Sequence, residues 1–226
     1  PADWFVEDQT LTFVKKTLPN ICNFYKNEGK KDMILSKESI VKEPLKEVYT
    51  IPLFSKTFCQ LLIDELKSMQ AHESFKPNDL EDELRQIPEI IISKYSEQLN
   101  NALLHIVDTI LNPIFINIWN RHVTAGNIQI ANYNIKEKVK GAWHHDASAD
   151  ISVVVPLNTG EYIGGGTEFF NRGVVKPLPN GNALIFPSFT HMHRGLPVEA
   201  GDRYLLVFWL VCEESTKTNR NYMKNE

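Results

Sequence analysis

The sequence has few cysteines, no long uninterrupted apolar run and no excess of basic residues, and each absence narrows its class. Its three cysteines, Cys22, Cys59 and Cys212, lack the close spacing of metal-binding motifs, so one disulfide is possible and none is required. The longest apolar candidate, residues 106–119, is shorter than the roughly 20 residues that cross a bilayer, so we expect no membrane span. A net charge of -4 and a pI near 6.0 argue against general nucleic-acid binding and permit a cationic substrate.

The length of 226 residues suits one large domain with smaller appendages, and 42% hydrophobic residues suffice for a buried core. We divide the chain into an N-terminal lead-in or linker over residues 1–46, a globular domain over residues 47–212 and a polar C-terminal tail over residues 213–226. Because the chain starts at Pro1 rather than at a methionine, we expect it to be a piece of a longer protein.

Hydrophobic periodicity places helices in the first half of the chain and short strands in the second half. Ser55 is a suitable N-cap for a helix that continues to about Met69. A second helix is predicted over residues 93–111, with Pro113 kinking or ending it. Strands are predicted at residues 47–53, 127–136, 151–157, 166–171, 183–186 and 204–212. This order favours an α+β fold, a β-sandwich or jelly roll buttressed by N-terminal helices.

The spacing His144-x-Asp146 is the first half of a possible metal site. On a strand, alternate side chains point the same way, so these two would project together and His145 would point away. Two imidazoles and one carboxylate on one face of an iron ion form the facial triad of non-haem Fe(II) oxygenases. His-x-Asp alone occurs by chance, so the interpretation depends on a third ligand from another strand.

The third ligand and a co-substrate anchor are both found near the C-terminal end. His191 and His193 are both candidate ligands, and we choose His193 because Arg203 follows it by ten residues. That step fits an antiparallel hairpin that returns the arginine beside the metal. The planar guanidinium matches a carboxylate in two-point contact, as a dicarboxylate such as 2-oxoglutarate would require. Tyr133, on the strand before His144, is a candidate second donor to this co-substrate.

Several motifs resemble the dioxygenase domain of procollagen lysyl hydroxylases. They are HHDAS at residues 144–148, PLN at 156–158, GGGTEF at 164–169, and TH-x-H-x-GLPV with G-x-RY at 190–204. Upstream, VYTIPLFSKTFCQLLIDEL resembles the family's entry into the same domain. The resemblance covers about residues 47–211, and the composition suggests a distant viral or protist member.

The resemblance implies a double-stranded β-helix and a specific reaction. It implies that His144, Asp146 and His193 bind Fe(2+), that Arg203 and Tyr133 bind 2-oxoglutarate, and that the three ligands and Arg203 are the catalytic residues. The implied reaction uses O2 and L-ascorbate and hydroxylates lysine C5 in collagen-like X-Lys-Gly sequences, giving 5-hydroxylysine, succinate and CO2. A homodimer, a collagen or collagen-like substrate, and the endoplasmic reticulum lumen (or a viral or host compartment) are also implied.

Some features depart from the family or leave alternatives open. Thr167 follows the three glycines where the family often has cysteine. The triglycine lacks the Lys-Ser/Thr of a phosphate loop, so we interpret it as a flexible hairpin turn or site-edge loop. The residue that binds the substrate ammonium is not evident, and Glu168 or Asp150 is a guess. The alternatives are a prolyl hydroxylase, a nucleic-acid demethylase that the acidic charge disfavours, and a non-catalytic metal-binding jelly roll.

Overall fold

The computed structural model describes residues 41–68, 75, 87–135 and 140–212. Its twelve strands in this part of the chain are β1 Lys42–Leu45, β2 Val48–Pro52, β3 Glu89–Ile91, β4 Val123–Asn134, β5 Ile151–Pro156, β6 Ile163–Gly164, β7 Thr167–Phe169, β8 Gly173–Val175, β9 Asn182–Pro187, β10 His193–Gly195, β11 Val198–Ala200 and β12 Asp202–Cys212. A major sheet has the order β1-β2-β9-β5-β12-β4-β3, a minor sheet has the order β10-β7-β8, and β11 pairs with β6. All the pairings are antiparallel.

Alternate side chains of β12 lie on opposite faces of the major sheet and belong to different apolar clusters. Leu206, Phe208 and Leu210 belong to the main core on the helical side. Leu205 and Val207 point to the other face, where a separate apolar cluster lines a cleft. The minor sheet covers this second face, with the Phe169 ring packed edge-on against Phe186. The predicted α+β fold with a jelly-roll core and buttressing N-terminal helices is confirmed, and the space between the sheets is available for a site.

The helices on the main-core face are α1 Lys56–Ser68, α2 Ile92–Tyr95, α3 Glu97–Ile106 and α4 Asn112–Trp119, with a π-helical turn Val107–Leu111 between the last two. Ser55 caps α1 as predicted, since its Oγ accepts from the Phe58 backbone N–H at 3.2 Å. Ser96 likewise caps α3, accepting from the Leu99 N–H at 3.2 Å, and so divides the second predicted helix.

Pro113 does not end the helical stretch, so of the two outcomes expected for it, a kink or an end, the end is wrong. A proline has no N–H to donate to a helical carbonyl, and a π-helical turn accommodates the interruption just before it. The Asn112 backbone N–H bonds to the Val107 carbonyl, and α4 continues from there. The buried Asn112 side chain also pairs with both backbone groups of Val123, at 2.8 and 2.9 Å, which fixes the start of β4 against the helix.

Within the described residues, the helical stretch Glu97–Trp119 is long and apolar enough to cross a membrane by length and composition. It also supplies Leu103, Ile106 and Phe115 to the main core. Core helices pass the same test, so this is only a weak indication of a span.

The domain limits differ from the expectation at one end. Strand β1 pairs with β2, so the sheet begins before the predicted boundary at residue 47. Residues 1–40, which include Cys22, and the predicted tail 213–226 lie outside the described residues. Cys59 and Cys212 are buried, and no disulfide joins them in the part of the chain that the structure describes.

Candidate metal centre

The three residues chosen as metal ligands lie together at one end of the cleft. One ligand atom from each of His144, Asp146 and His193 falls within 4.8 Å of the others. Nε2 of His144 lies 3.2 Å from Oδ1 of Asp146, and Nε2 of His193 lies 3.7 Å from Oδ2. Two imidazole nitrogens and a carboxylate at such separations suit a facial triad on ferrous iron.

His144 reaches this cluster from a loop. The prediction that His144 and Asp146 lie on a strand is therefore wrong. His193 lies on β10, but His144 makes only an isolated bridge to it. In that bridge each N–H donates to the other's carbonyl, at 3.0 and 2.9 Å. Asp146 starts a turn, with its carbonyl accepting from the Ala149 N–H at 3.0 Å. His145 lies outside the cluster, and its ring faces Phe189 at 6.4 Å between centroids.

Backbone carbonyls orient both imidazoles. Nδ1 of His144 lies 2.8 Å from the Ala142 carbonyl, and Nδ1 of His193 lies 2.9 Å from the His191 carbonyl. Because a carbonyl only accepts, each Nδ1 carries the proton, and each Nε2 keeps its lone pair toward the cluster. Burial lowers the pKa of His193 to about 4, although Asp146 partly opposes the shift. His193 is therefore neutral at pH 7 and can bind a metal without losing a proton.

Two buried serines support the carboxylate from behind. Oγ of Ser152 donates to Oδ2 of Asp146, and Oγ of Ser188 lies 2.7 Å from that of Ser152. Burial alone would raise the pKa of Asp146, but His144 and His193, when their imidazoles carry a second proton, and the Ser152 hydroxyl lower it overall. The carboxylate is thus held ionised and oriented, as a metal ligand must be.

Arg203 lines the same cleft as His144, Asp146 and His193, a space of about 530 Å³ open to solvent. It is the second residue of β12 and pairs with Tyr133 on β4, with its guanidinium 5.5 Å from the tyrosine ring centroid. The residue is only 3% exposed, and its buried Nε and Nη1 have no hydrogen-bond partner among the described residues. An unsatisfied buried cation is costly, so this geometry suits an anionic ligand that the cleft would receive.

Comparison with known proteins agrees with this donor set. Residues 128–211 match the model of the 2OG-Fe(II) oxygenase superfamily. The chain is 28% identical over 187 residues to the multifunctional procollagen lysine hydroxylase and glycosyltransferase of Caenorhabditis elegans, covering 78% of this chain and 26% of that protein. It is 28% identical over 182 residues to human procollagen-lysine,2-oxoglutarate 5-dioxygenase 2, covering 76% and 25%. The resemblance to procollagen lysyl hydroxylases is confirmed. The chain spans about a quarter of the length of these curated relatives.

Solved structures agree on the architecture. A prolyl hydroxylase from Trichoplax adhaerens, in complex with a hypoxia inducible factor oxygen degradation domain peptide fragment, has a TM-score of 0.62 at 18% identity, over 85% of this chain and 94% of that one. A Pseudomonas putida prolyl-4-hydroxylase has a TM-score of 0.56 at 19% identity, over 72% and 91%. The fold is that of the 2OG-Fe(II) oxygenases. At these identities the likeness establishes the fold alone.

The residues fit the two groups that the superfamily's description names. The His144–Asp146–His193 cluster has the nitrogen and carboxylate donors of a ferrous site. The unpartnered guanidinium of Arg203, in the same cleft, fits one carboxylate of 2-oxoglutarate.

The route from His193 to Arg203 is not the predicted hairpin. Strand β10 pairs with β7, β12 pairs with β4 and β5, and β11 lies between them in sequence and pairs with β6. The two side chains nevertheless line one cleft, because the minor sheet faces the major sheet. His191 lies outside the cluster, with Nε2 3.4 Å from the Lys46 carbonyl. Burial, and next the charge of Arg172, lowers the pKa of His191.

Of the two interpretations of the triglycine, the site-edge loop agrees with its position beside Arg203, and one of its glycines has a more specific role. A Cβ on Gly165 would lie 3.2 Å from Cδ and 3.3 Å from Nε of Arg203, and its φ is +75°. Only glycine combines this backbone conformation with so close an approach, so Gly165 makes room for the arginine. The neighbouring Thr167 is buried and lines the cleft.

Neither acidic residue suggested for the substrate ammonium is placed for that role. The Glu168 carboxylate is bound by Arg194, at 2.6 Å from Nη2 and 2.7 Å from Nε. Oδ2 of Asp150 accepts from the Cys212 backbone N–H at 2.7 Å. Neither residue lines the cleft of Arg203.

Sequence reasoning missed other residues of the cleft wall. Gln129 and Trp209 both line the cleft, and Nε2 of Gln129 donates to the buried Glu89 carboxylate at 2.6 Å. The signal that could have found them is strand alternation, since Gln129 shares its face of β4 with Tyr133.

Proposed function

We propose that this chain catalyses the Fe(II)- and 2-oxoglutarate-dependent hydroxylation of lysine at C5 in collagen-like X-Lys-Gly sequences, giving 5-hydroxylysine, succinate and CO2. The observation that carries the proposal is one cleft containing a His-Asp-His donor set and a buried, unpartnered arginine. The choice of lysine rests on the curated relatives, whose names include procollagen lysine hydroxylase.

His144 and His193 would bind ferrous iron through Nε2, and Asp146 through its carboxylate. When bound with 2-oxoglutarate and O2, the iron supplies the oxidising chemistry needed to hydroxylate an unactivated C–H bond, with decarboxylation to succinate. The protein contributes a fixed donor geometry, because carbonyls orient both imidazoles and Ser152 orients the carboxylate.

Arg203 would hold the carboxylate of 2-oxoglutarate distal to the metal. Its Nε and Nη1 are free to donate, and Tyr133 lines the cleft as a second donor. The walls contributed by Leu205 and Val207 are apolar, so the ion pair forms away from bulk water and is correspondingly strong. The co-substrate would then lie between the arginine and the proposed metal ligands.

Three further parts of the proposal rest on the same resemblance. Ascorbate would sustain turnover by restoring oxidised iron, and its omission should make activity decay during the reaction. A homodimer is expected, and light scattering measures it directly. The endoplasmic reticulum lumen is the expected compartment of the whole protein, and imaging of the tagged full-length protein tests it.

The test is a product assay with two matched peptides. One is a Gly-X-Lys repeat, and the other carries proline in place of each lysine. With Fe(II), 2-oxoglutarate and ascorbate, tandem mass spectrometry should locate one added oxygen on lysine and none on proline. Oxygen on proline alone would instead identify a prolyl hydroxylase. Asp146→Ala should form no product because it lacks a metal ligand, and full activity in that variant would refute the site.

A further inference from the structure

The two residues beside the proposed histidine ligands meet on the outer side of the same strand bridge. Trp143 precedes His144, and Arg194 follows His193. The His193 side chain is 8% exposed and that of Arg194 is 33% exposed, as expected when successive residues point to opposite faces. The His144 and His193 imidazoles therefore lie on the inner side of the bridge, and the Trp143 and Arg194 side chains lie on its outer side.

This outer pair is in direct contact and is extended by two more side chains. The Arg194 guanidinium carbon lies 4.5 Å from the Trp143 ring centroid. The same guanidinium donates to Oε2 of Glu168, from Nη2 at 2.6 Å and from Nε at 2.7 Å. The Trp143 ring meets Phe170 edge-on, with centroids 5.5 Å apart. We call Trp143, Arg194 and Glu168 the clasp.

The clasp links β7, β10 and the loop that carries His144, and backbone hydrogen bonds hold that loop to β10 at only a few points. Glu168 and Arg194 are partners in the β7–β10 ladder. The loop that carries His144 belongs to no strand, and it is held to β10 by the His144–His193 bridge and by the Gly141 N–H to the Gly195 carbonyl at 3.1 Å. Next to the proposed ligands, the Arg194 side chain on β10 contacts the Trp143 side chain on the loop.

We propose that Trp143, Arg194 and Glu168 are positioning residues that fix the separation of the His144 and His193 imidazoles and so set the affinity for the metal. This rests on the proposed function, since it assumes that these imidazoles bind iron. Arginine suits the role because its planar group can stack on an indole while its edge donates to a carboxylate. A lysine ammonium can keep the ion pair but cannot present that planar stack.

The test measures metal affinity separately from turnover. Calorimetric titration with Co(II), without 2-oxoglutarate or substrate, reports the site alone, and thermal unfolding of the metal-free protein reports folding. Arg194→Met should weaken Co(II) binding about tenfold, as loss of an orienting partner does. Arg172→Met, which alters a neighbouring arginine outside the clasp, should bind Co(II) like the wild type. Arg194→Met with unchanged affinity overturns the proposal, as does an equal loss in Arg172→Met.

A charge exchange separates the two contacts of Arg194. The double variant Glu168→Arg/Arg194→Glu can restore the ion pair but places a carboxylate beside Trp143. It should retain the weakened Co(II) affinity, and full recovery would show that the ion pair acts without the tryptophan. Should Arg194→Met fail to fold, Arg194→Lys supplies the comparison. Its Co(II) affinity should fall by less than about tenfold, and wild-type affinity in this variant would contradict the proposal. A wild-type protein that binds no Co(II) refutes the proposed function itself.

Discussion

Replacing Arg203 with methionine should abolish useful 2-oxoglutarate binding without weakening the unliganded fold. Nε and Nη1 of the guanidinium are buried, and no group in the described part of the chain accepts a hydrogen bond from them. Each charged hydrogen bond to a co-substrate carboxylate contributes about 1.5–3 kcal/mol, so two contribute about 3–6 kcal/mol. At about 1.4 kcal/mol per tenfold change, the dissociation constant should rise by about 10²- to 10⁴-fold.

The stability of the unliganded variant should move in the opposite direction. Methionine preserves most of the side-chain length and removes donors that lack partners, and removing an unsatisfied buried charge is neutral or stabilising. The metal-free protein should therefore unfold at the wild-type temperature or above it. An arginine that served only the fold would give the reverse pattern.

Two measurements on the same samples decide between these outcomes. Anaerobic calorimetry with Mn(II) present gives the 2-oxoglutarate affinity, and scanning calorimetry without metal gives the unfolding temperature. Arg172→Met is the matched control, because the Arg172 guanidinium makes a long contact of 3.5 Å to the Lys46 carbonyl and lies outside the lining of the cleft. Unchanged 2-oxoglutarate affinity in Arg203→Met, together with a lowered unfolding temperature, would refute the assignment.

Three further predictions concern the metal support, the helix junction and a buried thiol. Ser152→Ala removes a donor to Asp146 and should weaken Co(II) binding about tenfold by calorimetry; unchanged affinity would contradict this support. Asn112→Ala leaves two buried backbone groups of Val123 without their partner and should lower the free energy of unfolding in urea by about 2–4 kcal/mol. The exposed Asn117→Ala should change it little, and equal losses in the two variants would contradict this role of Asn112. Burial raises the pKa of Cys59 to about 12. Hardly any thiolate then exists in the native state at pH 8, so mass spectrometry should find Cys59 alkylated only after unfolding, and rapid native labelling would contradict its burial.

The sheet can be predicted from sequence where a strand is long and apolar. β5 and β12 were placed within about two residues because they are long, apolar and bounded by turn residues. β3 and β10 were not recognised as strands, because three residues are too few to show a period. The π-helical turn before Pro113 also leaves no mark in hydrophobic periodicity.

Residue types and spacing predict the cluster of His144, Asp146 and His193. The strand geometry assumed for that prediction is only partly right. His144 and Asp146 do point together, although the loop at this position, and not a strand, is responsible. The Ser188–Ser152–Asp146 chain depends on side-chain contacts across strands, which local sequence does not encode. The space that Gly165 leaves for an arginine 38 positions later is equally a property of the assembled fold.

The central claim is that this cleft couples 2-oxoglutarate to hydroxylation, and the most direct measurement is the ratio of the two products. Succinate and hydroxylysine are quantified in one reaction with a Gly-X-Lys peptide, Fe(II) and ascorbate, beside Asp146→Ala. The account predicts close to one succinate per hydroxylysine in the wild type and neither product in the variant. A wild-type protein that binds metal but forms neither product would contradict it, and would identify a binding module with the shape of an oxygenase.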